Sequence, residues 1–243
     1  MALNKNSNAY TVIYTVVMVV IVGALLATLA TLLKPMQEAN VLNEQKESIM
    51  KAFGAEGESF DKVTVGAIVG GTQFVEVKED TDIKAAFELI SNRKALAAEE
   101  DALPIFKYEK AGETLYVVPI VGKGLWNDIW GYIALKPVAG NMEVVGIIMD
   151  HAGETPGLGA EIATDGVQGQ FAGKQLYANG EFALKMLKNG KDNRAYIDGC
   201  SVDAISGGTK TCDGVNSMLE NSLKKYAPYF ATSLGVHVNM NIE

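Results

Sequence analysis

The sequence DAISGGTKT occupies residues 203–211 and leads into a segment with helical periodicity. Apolar residues follow it three to four positions apart: Val215, Met218, Leu219, Leu223, Tyr226 and Phe230. This spacing places them on one face of a helix. The stretch therefore predicts a polar, glycine-bearing loop that ends at the N-terminus of an amphipathic helix.

The predicted helix N-terminus is a candidate phosphate site. Its unpaired backbone N–H groups and its positive dipole end favour a bound anion. Gly207 and Gly208 let the backbone approach a ligand, and three hydroxyls lie nearby, those of Ser206, Thr209 and Thr211. The same residues also fit an ordinary loop in which Thr211 is the helix N-cap and no ligand binds. From the spacing alone both interpretations stay open.

Composition excludes several classes of protein. Hydrophobic residues make up 48% of the 243 residues, which is enough for a sizeable core. The net charge of −8 argues against nucleic acid as a partner, because phosphate neutralisation needs a basic face. Cys200 and Cys212 do not have the spacing of zinc ligands, so no metal site is predicted. We expect two buried thiols, and a disulfide across the loop remains an alternative.

An uncharged segment near the N-terminus, Thr11–Leu33, has 23 residues and predicts a membrane-spanning helix. A cleaved signal peptide is the alternative, but its apolar region is shorter, about 7–15 residues. Residues 1–33 are therefore assigned to a tail and a transmembrane helix. Residues 34–60 are assigned to a connecting helix that leaves the membrane, docks on the following domain and stops at Gly54.

The remainder, residues 61–243, predicts an α+β domain with a mixed, largely antiparallel sheet and helices packed to one side of it. A helix is expected from Thr81 to about Glu99. Strands are expected at Lys62–Val69, Phe74–Lys78, Thr114–Val121, Ile129–Leu135, Val144–Met149 and Glu181–Leu187. The turn HAGETPGLG, residues 151–159, contains a proline and several glycines, so it has a defined shape and can press its backbone against a flat ligand.

Separate motifs together resemble those of the C subunit of the sodium-translocating NADH:quinone reductase. They are KPMQE at 34–38, GKGLW at 122–126, ETPGLG at 154–159 and D-x-x-SGGT-x-T at 203–211. The resemblance implies one FMN joined by a phosphoester to Thr209, installed by a flavin transferase that splits FAD with magnesium. Gly208 stands where alanine is usual, and Cys212 stands where serine often follows. Thr211 is the rival attachment point, better explained as the N-cap.

The resemblance also assigns roles to residues around the flavin, within an FMN-binding core at about residues 114–232. The 154–159 loop would lie against the isoalloxazine ring, with Leu158 as an apolar contact. Trp126 would pack near the flavin or, equally, in the core, and Asp203 would be the motif acid that the transferase reads. The full set of cofactor-binding candidates is Trp126, Glu154, Thr155, Gly157, Leu158, Gly159, Ser206, Gly207, Gly208, Thr209 and Thr211. No side chain is expected to act as an acid, base or nucleophile toward substrate, because the flavin carries the chemistry.

In function, the resemblance implies an electron-carrying subunit of a membrane complex that is not active alone. Electrons from NADH would reach the FMN through other subunits and pass on toward quinone while the complex moves sodium outward. The N-terminus would be cytoplasmic and the domain periplasmic, with the other subunits, the flavin transferase and membrane lipid as partners. Two alternatives are the G subunit of the related Rnf electron-transfer complex and a membrane-anchored interaction module without a cofactor.

Overall fold

The structure is a computed structural model that describes residues 7–239. Its first element is one continuous helix. This helix, α1 (Asn8–Ala52), contains the predicted membrane span and most of the predicted connecting helix, so the two are not separate elements. Pro35 lies inside it and interrupts the backbone hydrogen-bond ladder without ending the helix. Among the described residues α1 is the one helix long and apolar enough to cross a membrane. It ends just before Gly54, which adopts a left-handed φ of 63°, as predicted.

The chain divides into two compact units, Met1–Glu44 and Gln45–Glu243. The second unit is built on a six-stranded sheet that is antiparallel throughout, in the order β2-β1-β3-β4-β5-β6. Its strands are β1 (Thr64–Val69), β2 (Gln73–Glu76), β3 (Ala102–Lys110), β4 (Glu113–Lys123), β5 (Asp128–Val138) and β6 (Asn141–His151). The three predicted strands of the meander are confirmed as β4, β5 and β6. Strand β3, in the middle of the sheet, was not predicted.

Short elements complete the unit. Four small strands form two pairs outside the main sheet: β7 (Tyr177–Ala178) with β8 (Glu181–Phe182), and β9 (Lys185–Leu187) with β10 (Ser201–Asp203). The strand predicted over residues 181–187 is therefore two strands with different partners. The helix predicted over residues 81–99 is also divided, into α2 (Asp80–Ser91) and α3 (Arg93–Ala98). The division occurs at Asn92, because its side chain accepts the backbone N–H of Ala95 at 3.1 Å and caps a new helix. A short helix, α4 (Asp165–Gln168), follows β6.

The long C-terminal helix, α5 (Thr209–Leu234), covers one face of the sheet. The predicted apolar face is confirmed, since all six of its residues are buried: Val215, Met218, Leu219, Leu223, Tyr226 and Phe230. Each such side chain contributes about 1.5–3 kcal/mol through burial. The Tyr226 hydroxyl also donates to the carbonyl oxygen of Pro104 in β3 at 2.7 Å. These contacts fix α5, and with it the 203–211 loop, against the sheet.

Helices cover the opposite face of the sheet as well, which corrects the expectation that they pack to one side. Phe87 of α2 lies 5.6 Å from Phe106 of β3 between ring centroids. Phe53, directly after α1, lies 5.2 Å from Tyr108 of the same strand. Phe106 and Tyr108 share this face, whereas Leu103 and Ile105 belong to the core that includes the apolar face of α5, because successive side chains of a strand point to opposite faces.

Candidate functional site

Helix α5 begins at Thr209, and its N-cap lies three residues before Thr211, the predicted N-cap. Its N-cap is Gly208, which has no side chain to accept a first-turn N–H. The proposed N-cap role of Thr211 is wrong, since Thr211 lies inside the first turn and its hydroxyl bonds elsewhere. Gly207 precedes the cap with a φ of 76°, a left-handed conformation that favours glycine.

The start of α5 has the properties of an anion site. The first intrahelical bond runs from the N–H of Cys212 to the Gly208 carbonyl at 2.9 Å, so the N–H groups before it have no partner within the helix. Thr209 and Lys210 are exposed there, and the Lys210 ammonium pairs with Asp213 at 3.6 Å. Ser206, also exposed, lies just outside the helix. This end of the helix carries positive partial charge and an accessible hydroxyl.

Glu154 lies at the centre of the site and is only 4% exposed. One carboxylate oxygen, Oε1, accepts the backbone N–H of Trp126 at 2.9 Å. The other, Oε2, accepts the hydroxyl of Thr211 at 2.6 Å. Burial acts to raise the pKa of Glu154, but the hydrogen bonds from Thr211 and from backbone N–H groups outweigh it, so the pKa lies below its ordinary value and the group is ionised at neutral pH. Both oxygens of Glu154 are thus used by groups of the protein.

Two glycines make room for this carboxylate. A Cβ atom at Gly124 would overlap Oε1 of Glu154, and one at Gly159 would overlap both Oε2 and the Thr211 hydroxyl. Gly159 is buried, so its small size serves packing within the protein. The motifs GKGLW, ETPGLG and SGGTKT therefore meet at one buried acid. The sequence gives no local signal for the contact between Glu154 and Thr211, which are 57 residues apart.

Large apolar side chains lie on the surface around this point. Leu125, Trp126 and Leu158 are 53%, 69% and 42% exposed. The alternative in which Trp126 packs in the core is therefore wrong. Leu158 lies against the 203–211 loop, because a Cβ at Gly207 would come within 2.6 Å of its Cδ2 atom. These side chains present apolar surface next to the start of α5.

The rest of the ETPGLG loop is exposed at Thr155 and Gly157. The N–H of Gly157 donates to Oε1 of Glu161 at 3.2 Å, and its φ of 75° is left-handed. His151 accepts the N–H of Glu154 at 3.2 Å through Nδ1. The N–H of Leu158 donates to the Thr155 carbonyl at 3.1 Å, so hydrogen bonds hold the tip of the loop as well as its start.

Asp203 ends strand β10, six residues before Thr209, and is exposed. Its backbone N–H donates to Oε1 of Gln170 at 3.0 Å, which leaves the carboxylate at the surface. Cys200 and Cys212 are free and buried, which confirms the prediction of two buried thiols. The Cys212 sulfur accepts the N–H of Ile205 at 3.3 Å and so holds the loop to α5.

Comparisons with known proteins agree with this geometry. The model of the FMN-binding domain family matches residues 124–224, which include all of ETPGLG and SGGTKT and the last three residues of GKGLW. The C subunit of the Na(+)-translocating NADH-quinone reductase from Haemophilus ducreyi is 30% identical over 94% of this chain and 95% of its own length. The same subunit from Pasteurella multocida is also 30% identical, with the same shares covered.

Solved structures show the same relationship. The crystal structure of this subunit from Parabacteroides distasonis superposes with a TM-score of 0.65 at 30% identity, over 82% of this chain and 98% of that one. The NqrC structure from Shewanella oneidensis gives a TM-score of 0.63 at 25% identity, over 81% and 97%. The chain therefore belongs to the NqrC family, the C subunits of the Na(+)-translocating NADH-quinone reductases.

Proposed function

We infer that this chain is the flavoprotein subunit of a sodium-translocating NADH:quinone reductase and that one FMN is joined to it through a phosphoester on Thr209. Its family relatives are named as that subunit, and its sequence matches the FMN-binding domain over residues 124–224. The other subunits of that complex are then its partners, and α1 is its membrane anchor. The observation that carries the assignment is the position of Thr209, an exposed hydroxyl at the start of a helix whose N-cap residue has no side chain.

The residues around Thr209 suit a phosphodiester. The single negative charge of that group would lie at the positive end of α5, where the unpaired first-turn N–H groups favour an anion. Lys210 adds a cation next to it, and Gly207 gives the loop the left-handed turn that it needs. Thr211 is a poorer attachment point because it is buried and already donates to Glu154.

Bound there, FMN would supply the redox chemistry, taking up electrons that began on NADH and releasing them toward quinone. The protein's own residues would hold and surround it. Leu158 and Trp126 offer exposed apolar surface beside the attachment point. Asp203 would be read by the flavin transferase, since its carboxylate is exposed close to the loop.

Attachment would proceed by transfer from FAD. The bond between the two phosphates of FAD breaks, a phosphorus–oxygen bond to Thr209 Oγ1 forms, and AMP leaves while the hydroxyl proton is released. A covalent link is useful if the domain lies outside the cytoplasmic membrane, with the N-terminus inside, because lost FMN is not readily replaced there. In this arrangement residues 1–33 would be the tail and span, 34–60 the connection and 61–243 the extracytoplasmic domain.

The test is expression of the full chain together with a flavin transferase. We expect in-gel flavin fluorescence and a peptide spanning Ser201–Lys224 that carries the mass of FMN. Thr209→Ala should abolish both signals, while Ser206→Ala, which removes another exposed hydroxyl of the same loop, should retain them. Wild-type protein with an unmodified peptide would refute the flavoprotein assignment. Fluorescence that persists in Thr209→Ala and disappears in Thr211→Ala would move the attachment point by two residues.

A further inference from the structure

Glu154 lies among three segments that are far apart in sequence. It accepts a hydrogen bond from the backbone of Trp126, and another from the side chain of Thr211 in the first turn of α5. A Cβ atom at Gly124 or at Gly159 would overlap a carboxylate oxygen of Glu154, so both positions require glycine. The carboxylate is buried and both oxygens bond to protein groups, so it is placed to join these segments.

The bond to Thr211 determines where Thr209 points. Residues two positions apart in an α-helix are separated by about 200° around its axis. When Thr211 is turned inward to Glu154, Thr209 is therefore turned outward. The structure has this arrangement, with Thr211 2% exposed and Thr209 at the surface. If the first turn rotated about the helix axis, both hydroxyls would turn by the same angle.

The chemistry of the contact makes it stronger than an ordinary hydrogen bond. Hydrogen bonds to an ionised carboxylate are shorter and stronger than those between neutral groups. The separation of 2.6 Å between Thr211 Oγ1 and Glu154 Oε2 fits such a bond. The Trp126 N–H is part of the backbone, so the second bond ties the GKGLW segment to the same carboxylate.

We propose that Glu154 is a positioning residue, which fixes the first turn of α5 through Thr211 and thereby presents the Thr209 hydroxyl to the flavin transferase. The proposal rests on the proposed function, and it gives Glu154 a role different from the cofactor contact that the sequence resemblance implied. Glu154 acts through Thr211 and the Trp126 amide, and it takes no part in forming the phosphoester bond. The three motifs then share one purpose, which is to hold an acceptor hydroxyl in place.

The test measures the rate of covalent flavin incorporation into the full-length chain by purified flavin transferase with FAD and magnesium. Glu154→Ala and Thr211→Val should each slow incorporation roughly 10- to 100-fold, the scale of loss expected when a reacting group is misplaced by about 1 Å. Thr211→Ser keeps the hydroxyl and should react within about threefold of wild type. The double variant should be no slower than the slower single variant, because both changes break the same bond.

Ser222→Ala is the matched control. It also removes a hydrogen bond between α5 and β4, since the Ser222 hydroxyl accepts the N–H of Val121 at 3.2 Å, but it lies more than two turns from Thr209. Its incorporation rate should equal that of wild type. Equal slowing by Ser222→Ala would show that general stability sets the rate, and a Thr211→Ser rate as low as that of Thr211→Val would show that the hydroxyl is irrelevant. Either result would overturn the proposal.

Amide hydrogen exchange separates this proposal from the proposed function, because it needs no flavin. In protein without flavin, Glu154→Ala should speed exchange at the Trp126 N–H by at least tenfold, while Ser222→Ala should leave it unchanged. Unchanged exchange in Glu154→Ala would refute the positioning role. If the variants show the expected exchange rates but the wild-type chain takes up no flavin, the flavoprotein assignment is refuted and the positioning of the hydroxyl by Glu154 still stands.

Discussion

Gly214 in α5 lies where the helix passes closest to the end of β4. A Cβ atom there would overlap the carbonyl oxygen of Lys123 and would lie 3.2 Å from the Gly124 Cα atom. Both obstacles are backbone atoms in a hairpin that the Gly124 N–H closes by donating to the Asn127 carbonyl at 2.8 Å. The Gly214→Ala change therefore forces the helix or the hairpin to move by about 1 Å.

Two opposing effects determine how much stability the Gly214→Ala variant loses. Alanine is favoured over glycine inside a helix by about 1 kcal/mol. Overpacking costs about 1–3 kcal/mol, and the upper value applies because backbone cannot rotate away as a side chain can. The net loss in the free energy of unfolding should be about 2 kcal/mol, which corresponds to a fall in Tm of roughly 4–8 °C for a domain of this size.

The assay is thermal unfolding of the purified full-length chain, followed by tryptophan fluorescence. Gly166→Ala in α4 is the matched control, because it makes the same change in a helix where a Cβ atom meets nothing within 4 Å. That variant should be as stable as wild type or more stable by up to about 1 kcal/mol. A Gly214→Ala protein as stable as wild type would refute the conclusion that close backbone approach requires glycine at this position.

Three further predictions concern stability. The pKa of Glu154 in the folded protein lies below its ordinary value of 4.5, so the ionised carboxylate stabilises the fold above pH 4.5 and this stabilisation is lost as the pH falls through the native pKa. Acidification should therefore lower the Tm of wild type more than that of Glu154→Gln. Trp126→Ala should change the free energy of unfolding by less than about 0.5 kcal/mol in denaturant titration, because only its backbone N–H bonds to Glu154 and its side chain is 69% exposed. Tyr226→Phe should cost about 1–3 kcal/mol in the same titration, because it leaves the buried Pro104 carbonyl without its donor.

Much of the fold could be predicted from local patterns. The helical spacing of apolar residues after Thr211 predicted the buried face of α5, and the long uncharged run predicted the first half of α1. Strand β3 was missed because the residues of ALPIFKYEK do not alternate strictly between apolar and polar. Pro104 lies opposite Ala67 of β1, and it precedes the stretch that pairs with β4, which begins at Phe106.

The site was harder to predict because its key contact depends on tertiary structure. The motifs indicated which loops matter, but Glu154 and Thr211 meet only when α5 packs against the ends of β4 and β6. The glycines of ETPGLG predicted an open approach to a ligand, whereas Gly159 is small in order to accommodate Thr211 and Glu154. The exposed side chain of Trp126 also runs against the usual preference of large aromatic residues for burial.

The different exposure of Thr209 and Thr211 has a consequence for maturation. An unfolded chain would offer both threonines to a modifying enzyme, whereas the folded domain offers the first and hides the second. Under the proposed function, folding has to precede flavin loading if the correct oxygen is to be chosen. The yellow colour of a preparation would then indicate that the cofactor was supplied and also that each coloured molecule had folded before it was loaded.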